Sequence, residues 1–177
     1  MATDIKAKRF TDGTAAAATT IAAAQTLGGA GNMTLAGTAA TFGGTNLGQK
    51  ITLVSTGNIS AVTFTITGTD PTGASQSEDL TGPNASTVTS TKYYNTVTQI
   101  AASGAVGTNT SSGVAADQGG TLFAGRTRVR GMHAVNAGAG TIFFNNSSID
   151  GSEILGVPVD AGDLDPYIPD DGMVFDS

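Results

Sequence analysis

Few residues in this chain could support catalysis. His133 is the only histidine, and a Ser-His-Asp triad would need it as the base. It lies beside Met132 and Ala134 in a stretch that predicts a β-strand, and the chain has no G-x-S-x-G elbow to present a nucleophilic serine. We therefore interpret His133 as a structural or surface histidine and predict that the chain is not an enzyme.

The acidic residues near the C-terminus are the second group that could carry chemistry. Six of the fourteen acidic residues lie between positions 160 and 177. Asp163 and Asp165, with Asp160 near them, are the best candidates for calcium ligands, because calcium prefers carboxylate and carbonyl oxygens. The D-x-[DN]-x-[DN]-G loop is missing and cysteine is absent, so we predict solvated turns, with no metal and no cofactor.

Three arginines, Arg126, Arg128 and Arg130, follow one another at a spacing of two. On a β-strand they would share one face, since successive side chains alternate between the two faces. This face is either solvated or an intersubunit contact. In a contact, the arginines would pair with Asp163 and Asp165 of a neighbour, because a guanidinium can bind both oxygens of a carboxylate.

The N-terminal segment, residues 1–13, carries further basic residues, Lys6, Lys8 and Arg9, followed by Phe10. It has two interpretations. The segment is either a frayed, solvated terminus or an arm that docks on another subunit, with Phe10 as its apolar anchor.

The composition excludes several partners. Only 12% of the residues are charged, the net charge is −6 and the sequence pI is about 4.4, which disfavours nucleic-acid binding because that needs clustered Lys and Arg. No apolar run approaches the roughly 18 residues that a membrane helix needs. The first residues do not resemble a secretory signal peptide, so we expect synthesis in the cytoplasm of the producing cell.

The segment 62–68 gives the strongest structural signal. Val62, Phe64 and Ile66 alternate with threonines, which predicts a strand with one apolar and one hydroxyl face. Asp, Pro and Gly at 70–73 predict a tight turn into a second strand at 76–80, and thus a hairpin. Strands at a spacing of 8–12 residues are typical of sandwiches and barrels.

We therefore predict an all-β fold, an antiparallel β-sandwich (jelly-roll or Ig-like) followed by a small second β-module. The predicted domains are an N-terminal arm at 1–13, the main sandwich at 14–118 and a C-terminal module with an acidic tail at 119–177. Residues 14–31 predict a strand or an extended segment. The other predicted strands cover 33–35, 41–42, 51–55, 88–91, 93–101, 106–108, 126–136, 141–145 and 153–159, whereas the Ser/Gly/Ala-rich stretch 109–124 breaks the pattern.

Two stretches resemble structural proteins of tailed bacteriophages. Residues 64–73, 78–83 and 89–100 are similar to a phage motif in which an F-T-x-x-G-T-D-x-x-G hairpin precedes E-x-L-T-G-P and T-x-S-T-x-x-Y/F-x-x-V-T-x-I. The stretch from Gly125 to Leu155 with YIPDDGMVF is similar to a small β-module of virion proteins, although residues 150–153 depart from its usual turn. The resemblance implies a virion component assembled in several copies.

The resemblance does not say whether this component lies on the capsid, at the neck or on the tail. Our first hypothesis is a non-enzymatic capsid decoration (cement) protein, made in the host cytoplasm and located on the capsid surface of the virion. Its partners would be the major capsid protein and copies of itself, as a homotrimer. The arm and the arginines with the acidic tail would form the contacts. The alternatives are a tail, fibre or neck component that contacts a host receptor or a glycan, and a carbohydrate-binding or hydrolytic β-module. The latter is weakened by the absence of Trp.

Overall fold

All strand pairs among the described residues are antiparallel, as predicted. The computed structural model describes residues 7–121, 127–129, 131–136, 139–145, 153–164 and 173–175. The chain divides into two units, Met1–Gly120 and Thr121–Ser177. The strands of the first unit are β1 (Ala17–Leu27), β2 (Gly31–Asn32), β3 (Gly48–Ser55), β4 (Thr63–Thr69), β5 (Ser75–Thr81), β6 (Thr87–Tyr94), β7 (Thr96–Ala102) and β8 (Val106–Gly119).

The first unit is a jelly roll. Its two sheets have the orders β1-β8-β3-β6 and β2-β7-β4-β5. The chain pairs as one long hairpin would if it were folded at the β4–β5 turn, with the pairs β1/β8, β2/β7, β3/β6 and β4/β5. Successive pairs of this hairpin lie alternately in the first and the second sheet, which is the arrangement of a jelly roll. Of the two sandwich types that the sequence allowed, the strand order therefore selects the jelly roll.

The core lies between the two sheets and follows the predicted alternation. Phe64 and Ile66 on β4 are fully buried, while Thr63, Thr65 and Thr67 lie on the outer face. Burial of large apolar side chains supplies most of the stabilisation, at roughly 25 cal/mol per Å² removed from water. The other large, fully buried apolar and aromatic side chains are Ile21, Phe42, Ile51, Leu53, Tyr94, Ile100 and Val106.

The predicted turn at 70–73 forms the tip of the folded hairpin. One carboxylate oxygen of Asp70 accepts hydrogen bonds from the Thr72 and Ala74 N–H groups at 2.8 and 2.9 Å, and Gly73 takes a φ of +88°. Partial burial of Asp70 opposes ionisation, but the hydrogen bonds from Thr72, Ala74 and Gly73 outweigh it and lower the pKa of the carboxyl group. The turn is therefore tightest with Asp70 ionised.

One predicted strand, 93–101, is two strands in two different sheets. The chain leaves β6 at Tyr94, turns at Asn95 and enters β7 at Thr96. The Asn95 side-chain amide donates to the carbonyls of Gly44 and Leu47 at 3.1 and 2.6 Å, which holds this corner. A continuous alternation of the sequence hides the change of sheet, because both strands happen to be rich in threonine.

Two other predictions for the first unit were wrong. The chain at 33–35 and 41–42 forms no strand, and a short 3₁₀ helix (Gly37–Ala40) lies between these positions. Residues 109–119 do not break the pattern but form most of β8, the longest strand, because its neighbours β1 and β3 cover both edges. A strand paired on both sides is buried through its position and needs few large apolar side chains.

The burial of the Tyr94 phenol leads us to predict that the first unit loses stability at alkaline pH. Burial raises the pKa of its phenol, and the Glu78 carboxylate raises it further. Folding therefore favours the neutral phenol, and this contribution is complete below the ordinary tyrosine pKa near 10 and is lost as pH rises above it. We expect urea unfolding to require less urea above pH 10, and we expect Tyr94→Phe to reduce this dependence. An unchanged pH profile in the variant would contradict the assignment.

The second unit repeats the nested arrangement with shorter strands. These are β9 (Thr127–Val129), β10 (Ala134–Asn136), β11 (Gly140–Asn145), β12 (Glu153–Val159), β13 (Gly162–Leu164) and β14 (Met173–Phe175). They pair as β9/β14, β10/β13 and β11/β12. The predicted strand 126–136 is thus two strands, and His133 lies between them in an exposed stretch without regular structure.

Candidate interaction surfaces

Both open sides of the jelly roll are closed by its own side chains and loops. Between β5 and β6, the Glu78 carboxylate accepts hydrogen bonds from the N–H groups of Thr91 and Lys92 at 2.8 and 3.1 Å. The Gln76 amide donates to the Tyr93 carbonyl at 2.6 Å. These side chains satisfy part of the backbone edge of β6, an edge that would otherwise be available to another chain.

The opposite side is closed by the loop before the 3₁₀ helix. The N–H of Met33 donates to the Ile100 carbonyl of β7 at 2.9 Å, and the N–H of Ala36 donates to the Ile21 carbonyl of β1 at 2.7 Å. One loop therefore bridges the two sheets. A concavity of about 290 Å³ remains beside it, lined by Ala23, Ala24, Gln25, Thr34, Leu35 and Ala36.

Residues 9–14 form a strap that lies against residues 42–49 of the same unit. Thr11 exchanges two backbone hydrogen bonds with Thr45, each 3.2 Å long, and the N–H of Thr14 donates to the Phe42 carbonyl at 2.7 Å. The Asn46 amide donates to the Arg9 carbonyl at 2.8 Å. The predicted arm is therefore ordered on its own unit from Arg9 onward.

Two glutamines opposite each other on β3 and β8 also hold the strap. Gln49 donates from its Nε2 to the Thr14 carbonyl at 2.9 Å, and Gln118 accepts from the N–H of Gly13 at 3.1 Å. Gln49 is fully buried, and it also donates to the Ala115 carbonyl at 3.1 Å. The sequence signal that could have indicated the contact between Gln49 and the strap is the uncharged polar Gln49 next to the apolar strand residues that begin at Ile51.

Of the predicted arm residues, Lys8, Arg9 and Phe10 lie in the described part. Lys8 places its ammonium 5.6 Å from the centre of the Phe10 ring, within the range of a cation–π contact. Phe10 is half-buried and packs close to Gly120, since a Cβ on Gly120 would lie only 3.0 Å from the Phe10 ring. Lys6 lies outside the described residues.

We predicted contacts between the arginines and the acidic tail, and most of these residues lie outside the described part of the chain. Arg126, Arg130 and Asp165 are among them. Of Arg128 and Asp163 the structure describes the backbone only, which pairs with Val174 and Val135 respectively. The two residues thus belong to different strand pairs. Among the described residues, no three His, Cys, Asp or Glu side chains lie close enough together to hold a metal ion.

Three large apolar side chains on strands of the second unit are exposed, which the sequence did not reveal. Among the described residues, those with the largest exposed fractions are Val135 at 71%, Phe143 at 58% and Ile154 at 49%. All three lie on strands of the second unit. The hairpin β11–β12 is two-sided: Phe144 and Val159 are buried, whereas Phe143 lies on the outer face across from Gly156.

No helix in the described part of the chain is long and apolar enough to span a membrane. Comparisons with protein-family models, with curated proteins and with solved structures found no match to this chain. The interpretation of its surfaces therefore rests on the sequence and the geometry of this chain.

Proposed function

We propose that this chain is a non-enzymatic virion structural protein, a capsid decoration (cement) protein that binds the assembled head of a tailed bacteriophage. The observation that carries the proposal is the division of its surface. The first unit closes both sides of its sandwich, while Val135, Phe143 and Ile154 of the second unit expose large apolar area. Such a protein combines a scaffold protected from edge pairing with exposed apolar side chains that are available for contact.

The charges of the two units support the same division. The first unit carries five basic and six acidic residues, whereas the second carries three basic and eight acidic residues. The apolar side chains thus belong to a strongly acidic unit, which would favour a partner with basic residues around its contact surface and oppose non-specific association. The proposed partners are the major capsid protein and further copies of this chain, arranged as a homotrimer.

Decoration would stabilise the head by mass action. A protein that binds only the assembled lattice lowers the free energy of that state by RT ln(1 + [L]/Kd) at each site, where [L] is the concentration of free protein. It needs no catalytic group, only many weak contacts repeated over a symmetric shell. A rigid first unit suits this task because little conformational entropy is lost on binding.

The test is co-sedimentation of the purified protein with empty heads of the phage that encodes it. We expect the native protein to sediment with the heads and Phe143→Ser to bind at least about tenfold more weakly, since one buried aromatic anchor contributes about 1.4 kcal/mol or more. Thr141→Ser, an exposed change on the same strand, is the matched control. Circular dichroism of each variant confirms that the unit remains folded.

Two results would overturn the proposal. One is the absence of binding to heads at any salt concentration. The other is a low copy number: many copies per particle support the capsid surface, whereas only a few would favour the tail, fibre or neck. Equal binding by Phe143→Ser and Thr141→Ser would leave decoration standing but exclude Phe143 as its anchor.

A further inference from the structure

The strap, residues 9–14, occupies a site that fits one backbone path closely. Gly44 takes a φ of +70°, and a Cβ there would lie 2.2 Å from the Thr11 carbonyl oxygen. A Cβ on Gly13 would lie 2.3 Å from the Phe42 carbonyl oxygen. Glycines at both contact points allow the strap and the loop 42–47 to approach more closely than side chains would permit.

This site has to be filled in every folded copy. Phe42 and Gln49 are fully buried, and the Gln49 amide uses one of its donors on the Thr14 carbonyl. Without the strap, the buried Gln49 amide would lose a hydrogen-bond partner, which disfavours a folded copy whose site is empty. The site itself does not distinguish the strap of its own chain from that of another copy.

The connection between the strap and β1 offers a hinge. Ala15 and Ala16 are exposed and lie outside regular structure. Beyond them, the pairing of β1 with β8 is irregular, because Ala17 pairs with Val114 and the next paired residue, Ala22, with Ser112. Small, exposed side chains next to an irregular ladder permit a change of direction without loss of core packing.

We propose that the strap is exchanged between copies of this chain, so that residues 9–14 of one copy fill the site between residues 42–49 and Gln118 of its neighbour. Every hydrogen bond of the strap is retained in the exchanged form, and only the hinge changes, which makes exchange a low-cost route to association. High local concentration favours the exchanged form, because the neighbour's strap then competes with the chain's own. The inference does not rest on capsid binding.

A cysteine test distinguishes the two forms, since the native chain has no cysteine. Thr11 and Thr45 form a bridge with both backbone hydrogen bonds, a geometry in which the Cα atoms of paired residues lie about 5.5 Å apart, as a disulfide requires. Thr11→Cys is placed in one chain and Thr45→Cys in a second chain of different mass. The two are mixed, unfolded, refolded together at high concentration and oxidised.

We expect a disulfide between the two chains on a non-reducing gel, about tenfold more abundant than between Thr11→Cys and a control chain carrying Thr72→Cys in the exposed β4–β5 turn. A single chain carrying both Thr11→Cys and Thr45→Cys shows that the geometry permits the bond. If that chain forms the bond internally and the mixed chains link no more often than the control pair, the proposal is overturned. Failure of head binding has no bearing on this result.

Discussion

Gly68→Ala is expected to destabilise the first unit by about 3 kcal/mol or more. A Cβ on Gly68 would lie 1.9 Å from the Thr96 carbonyl oxygen and 3.1 Å from the Tyr94 ring. The register of β4 against β7 shifts between Thr67 and Gly68, and this bulge brings the Thr96 carbonyl over the glycine. A backbone atom cannot rotate away as a side chain can, so the two strands must separate locally.

Gly107→Ala is the matched control. Gly107 also lies in a strand, β8, but a Cβ there would meet no atom within 4 Å. We expect this variant to stay within about 0.5 kcal/mol of the native protein. Urea unfolding followed by circular dichroism measures both, and equal midpoints for the two variants would contradict the close approach at Gly68.

Gln49→Ala is expected to lower the free energy of unfolding by about 3 kcal/mol. The substitution leaves the carbonyls of Thr14 and Ala115 without their donor and opens a cavity at a fully buried position. Each of these two part-buried hydrogen bonds contributes about 0.5–1.5 kcal/mol, and the cavity at position 49 adds to this. Because the strap loses its main side-chain contact, amide hydrogen exchange at Thr11 and Thr14 should also accelerate.

Gln99→Ala provides the comparison for Gln49. Gln99 is an exposed amide whose Nε2 donates to the Asn32 side chain at 3.0 Å. Its removal should change stability by no more than about 0.5 kcal/mol, because water replaces the lost partner. If Gln49→Ala were as mild as Gln99→Ala, Gln49 would not hold the strap.

The predictable part of the fold is the part in which local chemistry decides the structure. The hairpin across Asp70 and Gly73 follows from alternation and turn residues alone. The corner at Asn95 and the burial of β8 could not be predicted, because they depend on which distant strands become neighbours. The corner and the burial are determined by which strands pair with one another, and a single sequence does not reveal which distant strands will pair.

The contact surfaces were predictable only in part. Basic residues and Phe10 marked the N-terminal segment as an arm, but its attachment through Gln49 and Gln118 depends on residues more than thirty and one hundred positions away. Phe143 was equally hidden. Phe143 and Phe144 are neighbours of the same type, and only the pairing of β11 with β12 shows which of them is buried.

The nesting of both units also determines the order in which the chain can fold as it is synthesised. In each unit the first strand pairs with the last, β1 with β8 and β9 with β14. The inner hairpins β4–β5 and β11–β12 can form as soon as they leave the ribosome, whereas β1 must wait for a partner about ninety residues later. Until that partner arrives, β1 has an unpaired edge, and its alanine- and threonine-rich sequence, without a single charge, is the segment most in need of protection.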